Sequence, residues 1–390
     1  MSDTLTCEVY PRLDAISAEE WASLFPDSLD SVEMFQLLQR SRPDGFAFHS
    51  IVVRQAGKPI LVVPLFETRY RLSIFLDVNL RGLVNAAAKL FPGLLFPRML
   101  GVGFLESEWS QVGIEPSLEP DVLDAAWNLA LEALRTLAAR LRVDMTVLLH
   151  FTTSSGRMLP MHKLNGFSEM AGLPYAQVPI NFRNLEGYIE TLSAKMRADL
   201  RRKLRKTPEV EVRRTRDAGP WIDTIYRLYL ETVAQSEVVF LVHPRTYFEQ
   251  VCGSVPGAEY WLYFVKGQLL AFKLLVVRPD CIVDKYFGMD HVPGRAYNLY
   301  FIAWVDIIRY CMDHGIPLYH AGQANEDTKK RLGAQFVPSL ILFRHRYPPF
   351  HRLLTLLSRH LAYESKVDLP SAQLGTGWVQ PMNKGRGILK

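Results

Sequence analysis

Basic side chains are concentrated in one short segment near the middle of this 390-residue chain. Residues 195–206 contain seven lysines and arginines and one acid, a net charge of +6, whereas the other residues sum to −1. Stability alone would favour alternating acids and bases on a helix, because like charges one turn apart repel. The segment therefore indicates an anionic partner, either phosphate groups or a nucleic acid backbone. The alternative is a solvated charged face.

Helical spacing divides this basic segment into two faces. Arg197, Arg201 and Arg205 lie four residues apart and form one row, which we expect to contact the anion. The residues that would dock the helix on the protein form an apolar stripe of Met196, Leu200 and Leu204.

A second candidate anion site is the segment 291–296, which joins a predicted strand to a predicted helix. Its small residues Gly294 and Ala296 would let the backbone approach a phosphate, and the first N–H groups of a helix stabilise an anion. His291 begins the segment, and Arg295 would add a charge-assisted contact. The alternative is that Pro293 and Gly294 only turn the chain into the helix.

Side chains that could transfer a proton or stabilise a developing charge lie on two successive predicted strands of the second half. His320 ends one strand, and a histidine there is either a general base or a structural residue. Asp284, Lys285 and Tyr286 lie on the other strand. Strict alternation would place Asp284 and Tyr286 on one face and Lys285 on the opposite face, so these three cannot all serve one site.

Hydrophobic periodicity predicts a mixed α/β protein in which one order of elements occurs twice. The first half reads as helices Ala18–Leu24 and Ser31–Gln39, a hairpin turning at Gln55–Lys58, helix Asp121–Leu141, strand Met145–His150, helix Gly156–Leu164 and strand Tyr175–Ile180. The second reads as helices Leu185–Lys206, Trp221–Gln235 and Arg245–Cys252, a hairpin turning at Lys266–Gln268, a strand at 281–289, helix Pro293–His314, strand Pro317–His320, helix Asp327–Leu332 and strand Pro338–His345.

This repeated order predicts an internal duplication and three regions. An N-terminal half covers residues 1–180, and a C-terminal half covers 181–346 and begins with the basic entry helix 185–206. A connector, Thr207–Gly219, follows this helix. A basic tail, 347–390, is expected to be partly disordered, particularly beyond Lys366.

Composition excludes several classes of protein. Hydrophobic residues make up 48% of the chain and the net charge is only +5, so the protein is folded and is not a histone-like nucleic acid binder. Its four cysteines lack metal-ligand spacing, and no phosphate-binding P-loop, dinucleotide fingerprint or serine nucleophile elbow occurs. We found no secretory signal and no apolar stretch of membrane-spanning length, so we expect a cytoplasmic protein.

The repeated unit resembles the Gcn5-related N-acetyltransferase (GNAT) fold used twice, and specifically the Fem-like and CelD-like acyltransferases. Three segments carry the resemblance over roughly residues 15–345: LSAKMRADLRRKLRK at 192–206, FGMDHVPGRAYNLY at 287–300 and YHAGQANEDTKKRLGA at 319–334. In the second, the spacing of His291, Gly294 and Ala296 is similar to the family's pyrophosphate loop. The third is similar to a strand followed by a Tyr-Lys-basic helix, although Thr328 replaces the aromatic residue.

The resemblance implies roles for several residues. Lys329 matches a lysine that contacts the donor or the charge developing at the acyl carbonyl, which would lower the barrier. The alternative is that Lys329 is an exposed cation on a short helix. His320 stands where an acid is common. The catalytic candidates are Lys329, His320, Asp284 and Tyr286.

The resemblance also implies an enzyme that transfers an acyl group from acyl-coenzyme A, or an acyl carrier, to an amine or hydroxyl acceptor. The donor is a co-substrate, and no permanently bound cofactor is expected. One alternative is an aminoacyl-tRNA-dependent transferase, in which the basic helix contacts the RNA. A second alternative is a non-catalytic anion-binding protein that retains the fold.

Overall fold

The computed structural model describes residues 4–13, 15–26, 28–69, 96–103, 107, 112–152, 159–236, 239 and 241–361. Its strands are β1 Leu5–Tyr10, β2 Phe46–Gln55, β3 Lys58–Arg69, β4 Arg98–Val102, β5 Gly113–Ile114, β6 Met145–Thr152, β7 Ser168–Ala171, β8 Tyr175–Pro179, β9 Val210–Thr215, β10 Ala258–Val265, β11 Gln268–Val277, β12 Ile282–Met289, β13 Leu318–Gly322, β14 Gln335–Val337 and β15 Ser339–His345. Its α-helices are α1 Ala18–Leu24, α2 Val32–Ser41, α3 Pro120–Arg140, α4 Leu185–Thr191, α5 Ala194–Leu204, α6 Ile222–Gln235, α7 Arg245–Ser254, α8 His291–Ala296, α9 Leu299–His314, α10 Glu326–Arg331 and α11 Pro348–Leu361.

These strands form two mixed sheets, which confirms the predicted α/β class with two similar halves. The first sheet has the order β1-β2-β3-β4-β6-β15-β7, with β5 paired to β3, and the second has the order β14-β8-β13-β12-β11-β10-β9. In the second sheet one face packs against α9, and the other packs against α6 and α7. The second sheet therefore has a separate apolar core on each face.

The two sheets exchange one strand each. Strand β8 pairs with β13 and β14 of the second sheet, although it precedes that half in sequence. Strand β15 returns to pair with β6 and β7 of the first sheet. Neither predicted half, 1–180 or 181–346, therefore contains a complete sheet, because each sheet takes a strand from the other half of the chain.

The two predicted hairpins form with their turns at the expected residues. Ala56 and Gly57 join β2 to β3, and Lys266 and Gly267 join β10 to β11; all four residues have positive φ, between 48° and 82°. Two-residue turns with positive φ at both positions match the twist of the flanking strands, and glycine adopts this conformation without steric cost.

Two long helices predicted from periodicity are each interrupted. The basic entry helix stops at α4 and restarts as α5, because Ser193 caps the second helix by accepting a hydrogen bond from the Met196 N–H at 3.3 Å. The helix predicted at Pro293–His314 is divided into α8 and α9 by Asn298, which has φ of 58°. Apolar spacing continues through both breaks, so periodicity alone does not reveal them.

Other predictions change at the ends of the halves. Strand β9 occupies six residues of the connector predicted at 207–219, and it forms one edge of the second sheet. The first part of the predicted tail forms α11, whereas residues 362–390, which include the tail beyond Lys366, lie outside the described residues. Part of the helix predicted at Gly156–Leu164 also lies outside them; its end is a short 3₁₀ turn at Met161–Lys163.

No helix among the described ranges is sufficiently long and apolar to cross a membrane.

Side chains of both halves meet between α2 and the second sheet. Asp30, which precedes α2, forms an ion pair with Lys285 of β12 at 2.5 Å, and their side chains are only 1% and 3% exposed. Arg278 donates a hydrogen bond to the Ser28 carbonyl oxygen at 2.7 Å. The Tyr247 hydroxyl lies 3.4 Å from the Met34 sulfur, where α7 packs on α2. The N-terminal segment is thus anchored to β12 by a buried charge pair.

We predict that Asp30→Ala destabilises the protein by about 3–5 kcal/mol, because the buried Lys285 ammonium loses its carboxylate. The free energy of unfolding, measured by urea denaturation, checks this value. Asp280→Ala is the control: Asp280 pairs with Arg278 but is largely exposed, so its loss should cost less than about 1 kcal/mol. Equal losses for the two variants would contradict the assignment of a stabilising role to the buried pair.

Candidate active site

An opening in the second sheet lies where β12 and β13 separate. These two parallel strands pair only at Ile282 with Tyr319 and at Val283 with His320. Beyond Val283, β12 remains paired with β11 as far as Met289 but no longer pairs with β13. The backbone edges that face the opening lack ladder partners there, so the opening can accept an extended ligand between two strands.

A β-bulge places the side chains of β12 differently from the alternation predicted above. The register of β11 on β12 shifts so that Leu274 faces Tyr286 and Leu275 faces Asp284, which leaves Lys285 as the extra residue. Asp284 then contacts groups on the α9 side of the sheet, whereas Tyr286 contacts groups on the α6 and α7 side. The prediction that Asp284 and Tyr286 share a face is therefore wrong.

On the α9 side, Asp284 belongs to a buried polar cluster with two residues that the sequence analysis missed. Tyr319 donates a hydrogen bond to the Asp284 carboxylate at 2.7 Å, and the Lys273 ammonium forms an ion pair with the same oxygen. Burial, reinforced by the Asp284 charge, raises the pKa of Tyr319 well above its usual value, so its proton stays in place. The cluster ties β12 to both neighbouring strands at the point where β12 leaves β13.

One sequence signal could have identified Lys273. It is the only charged residue in the apolar run at 269–277, and the residue is only 2% exposed. Lysine is almost never fully buried unless it is paired, so a lone lysine in a buried strand indicates a buried acid nearby.

On the opposite face, two histidines lie near the Lys285 ammonium. His243 lies 2.6 Å from the Tyr286 hydroxyl through its Nε2 atom and stacks on Tyr247. Burial lowers the pKa of His243 to about 3, and it lowers the pKa of His320 to about 4, with Lys285 acting in the same direction in both cases. Both imidazoles are therefore neutral at pH 7, and each is a much weaker base than an ordinary histidine.

Lys329 lies at the end of β13, the strand that borders the opening opposite β12. It is buried in α10, and its ammonium donates hydrogen bonds to the carbonyl oxygens of Ala321 and Gly322 at the end of β13. Lys329 is therefore not the exposed cation of the alternative interpretation. Its positive charge is held at the end of the strand that diverges from β12.

The predicted phosphate loop 291–296 forms the single-turn helix α8, directly after β12. Gly294 is buried, and a Cβ atom there would lie 2.3 Å from the Met289 side chain, so close packing requires glycine at this position. Its N–H donates to the Asp290 carbonyl oxygen at 2.8 Å and is thus used within the turn. Arg295 and Ala296 are exposed.

Two polar groups near this loop remain without partners in the described part of the chain. Both ring nitrogens of His291 are buried and make no hydrogen bond there, and the same holds for the hydroxyl of Tyr300 in the first turn of α9. Burial raises the pKa of Tyr300 above its usual value, so the hydroxyl keeps its proton and can donate. Buried polar groups are normally paired, so these are candidate ligand contacts.

The basic helix α5 packs beside this loop, but not through the predicted arginine row. The ammonium of Lys203 lies 3.3 Å from the ring centroid of Phe301, and that of Lys206 lies 5.5 Å from the ring centroid of Tyr297. Asn298 donates a hydrogen bond to the Lys203 carbonyl oxygen at 3.5 Å. Lys203 and Lys206, at the end of α5, thus lie beside the junction of α8 and α9.

Two of the three arginines in the predicted row, Arg197 and Arg201, contact α4 or the residue that follows it. Arg197 donates to the Leu192 carbonyl oxygen at 2.7 Å, and Arg201 forms an ion pair with Glu186. Arg205 is exposed. The structure therefore brings Lys203 and Lys206 to the loop and directs Arg197 and Arg201 towards α4.

Comparison with known proteins identifies a matching domain and several similar folds. Residues 194–330 match the model of an acetyltransferase (GNAT) domain. FemX is 12% identical, with a TM-score of 0.55 over 87% of this chain and 98% of FemX. A tandem GNAT protein from the clavulanic acid biosynthesis pathway is 11% identical, with a TM-score of 0.51 over 88% of this chain and 99% of that protein. L-PGS from Bacillus licheniformis is 11% identical, with a TM-score of 0.50 over 89% and 97% of the two chains. No curated protein sequence matches.

We predict that stability falls as the pH is lowered from about 6.5 to about 4. His320 has a pKa of about 4 in the folded protein, and an unfolded histidine has about 6.5, so in this range the unfolded chain binds a proton that the folded one does not. The loss from His320 amounts to about 3 kcal/mol. Urea unfolding at several pH values should show a smaller slope for His320→Gln than for the wild type.

The control is His314→Gln, because His314 is an exposed histidine on the same half of the protein. The free energy of unfolding of His314→Gln should change with pH as that of the wild type does. An unchanged slope for His320→Gln would mean that His320 is not the group that links stability to pH.

Proposed function

We propose that this chain, which contains a GNAT domain match at residues 194–330 and has the fold of FemX and of a tandem GNAT protein, transfers an acyl group from a coenzyme A or carrier thioester to an amine or hydroxyl acceptor. The observation that carries the proposal is the separation of β12 from β13 after two paired residues, beside a loop that is flanked by lysines. An extended donor arm fits such an opening, and its phosphates fit the lysines.

The donor end of the site is the junction of α8 and α9. Lys203 and Lys206 supply positive charge there, and each is also paired with an acid, Asp199 at 2.8 Å and Glu209 at 3.0 Å respectively. Arg295 in α8 and Arg205 between the two lysines in sequence are exposed and add to this charge. The buried nitrogens of His291 and the hydroxyl of Tyr300 supply polar contacts. Charge-assisted contacts from lysine and arginine are well suited to phosphate oxygens.

Chemistry in such a site requires little covalent participation by the protein. The acceptor's nitrogen or oxygen attacks the thioester carbonyl, a C–N or C–O bond forms and the C–S bond breaks. The acceptor loses one proton, and the departing sulfur gains one, so it leaves as the thiol. Holding the two reactants together and stabilising the charge on the carbonyl oxygen supply most of the rate. Lys329 and the Asp284 cluster act on the two strands that flank the opening, so we assign them to positioning and to the electrostatic field.

His320, Asp284 and Tyr286, three of the predicted catalytic residues, are not strong general bases in this structure. His320 has a pKa of about 4, and Asp284 is already bound by Lys273 and Tyr319. Tyr286 is bound to His243 on the other face. An acceptor amine that loses its proton to solvent, or after attack, is therefore favoured over one that is deprotonated by these side chains.

A second candidate function is aminoacyl transfer from aminoacyl-tRNA. It is favoured by exposed basic residues of α5 other than those at the α8–α9 junction, namely Lys195 and Arg202. The fold similarity to FemX also favours it, because the resemblance to the Fem-like group implies an aminoacyl-tRNA donor as the alternative to coenzyme A. RNA would span a longer part of the helix than the phosphates of coenzyme A.

Mass spectrometry of the protein's products distinguishes the two donors. The purified protein is incubated with a panel of acyl-coenzyme A compounds and aminoacyl-tRNAs, together with a cell metabolite extract as the source of acceptor. Acyl transfer that saturates with free acyl-coenzyme A and survives RNase supports the first function. Transfer that is abolished by RNase and weakens steeply with salt supports the second.

We predict that Lys203→Gln combined with Lys206→Gln raises KM for the donor by about 10- to 100-fold with little change in kcat, because two phosphate contacts are lost. Lys195→Gln, an exposed lysine at the other end of the same helix, is the matched control and should leave both constants unchanged. A KM unaffected by the double substitution would remove the donor from this junction.

Lys329→Met is predicted to lower kcat by about tenfold or more, because the positive charge at the end of β13 is lost. Lys330→Met is the control, since its side chain is exposed on the same helix. Circular dichroism establishes that both variants are folded. Equal activity of Lys329→Met and the wild type would refute the role assigned to Lys329.

A further inference from the structure

Helix α11 exposes an unusual amount of apolar surface. Leu356 is 69% exposed, Leu353 is 41% exposed, and Tyr347 just before the helix is 46% exposed. These are three of the seven exposed large hydrophobic side chains among the described residues. The other four are scattered over separate parts of the chain, so the cluster at α11 is the exception.

The exposed face of α11 is not the face that attaches it to the protein. Leu354 is 8% exposed, and the Thr355 and Ser168 hydroxyls lie 2.6 Å apart, which fixes the helix on β7. The helix also packs against β15. Leu353 and Leu356 are three residues apart and lie together on the remaining face, so they are free of this docking contact.

The same segment carries positive charge and contains no acidic residue of its own. Residues 344–361 contain four arginines and three histidines, and neither aspartate nor glutamate occurs among them. Arg352 is exposed immediately beside Leu353. Arg344 near the end of β15 and Arg346 just after that strand are also exposed. Arg346 forms an ion pair with Asp144 at 3.5 Å. The segment remains strongly positive even with this pair, because it contains four arginines.

We propose that α11 is a membrane-surface helix that binds anionic lipid, with Leu353 and Leu356 inserted at the headgroup boundary and arginines contacting lipid phosphates. The exposed leucines and Arg352 of the helix, with the arginines that precede it, have the two properties that such a surface requires, apolar insertion and attraction to negative headgroups. RNA would use the arginines but would gain nothing from the leucines. The proposal is independent of the acyl-transfer proposal, because α11 packs on the first sheet and the opening lies in the second.

Vesicle sedimentation with the full-length protein tests this inference. Vesicles of phosphatidylcholine alone are compared with vesicles that also contain phosphatidylglycerol, at low and at high salt. We expect at least about tenfold more protein bound to the anionic vesicles at low salt, and a marked loss of binding at high salt. Equal binding to both vesicle types, or no binding to either, would overturn the proposal.

Substitutions assign the binding to α11. Leu353→Ser with Leu356→Ser should reduce binding by about tenfold, and Arg352→Glu should reduce it at low salt. The control, Met161→Ser with Leu230→Ser, removes two exposed hydrophobic side chains elsewhere and should bind as the wild type does. Thermal unfolding verifies that each variant is folded.

Two other outcomes would overturn the proposal. The first is that the leucine pair changes the sedimentation coefficient of the lipid-free protein, which would make α11 a contact between copies of this chain. The second is that an RNA oligonucleotide competes for the segment as well as anionic vesicles do, and that the leucine substitutions leave this RNA binding intact.

Discussion

The exchange of β8 and β15 between the two sheets is the constraint on which the rest of the structure depends. Each sheet completes its hydrogen-bonded ladder with a strand from the other half of the chain. Backbone groups in the middle of a sheet are costly to leave unpaired, so neither sheet is complete without the other half. The halves therefore fold as one unit, and the candidate site, although it lies in the second sheet, depends on the first.

The buried charges of β12 follow from this arrangement. On one face, Asp284 is bound by Lys273 and Tyr319 within the second sheet. On the other face, Lys285 is bound by Asp30 from the N-terminal segment. The bulge at Lys285 brings both pairs to the point where β12 leaves β13, so the shape of the opening is held by neighbouring strands on one face and by the N-terminal half on the other. Pairing compensates for part of the desolvation cost of these charges.

Local patterns predicted those features that depend on only a few adjacent residues. The sequence predicts the turn at Lys266 and Gly267, because two-residue turns need residues that tolerate positive φ. The position of the turn also fixes where the two flanking strands end and begin. The break at Asn298 was not found, since apolar spacing continues across it and a single left-handed residue leaves no periodic signal. The bulge at Lys285 was also missed, because strict alternation contains no information about an inserted residue. Lys203 was counted in the basic segment, but its contact with Phe301 could not be read from spacing.

By itself the sequence determined the α/β class, the repeated order of elements, the hairpins, and the concentration of positive charge near the entry to the second half. These are set by side-chain periodicity and charge along a continuous stretch, which neighbouring residues report directly. Only the tertiary structure decided which strand completes which sheet, which lysines lie at the loop, and which partners hold Asp284 and Lys329. Those outcomes depend on contacts between residues that are distant in sequence, and no local pattern encodes them.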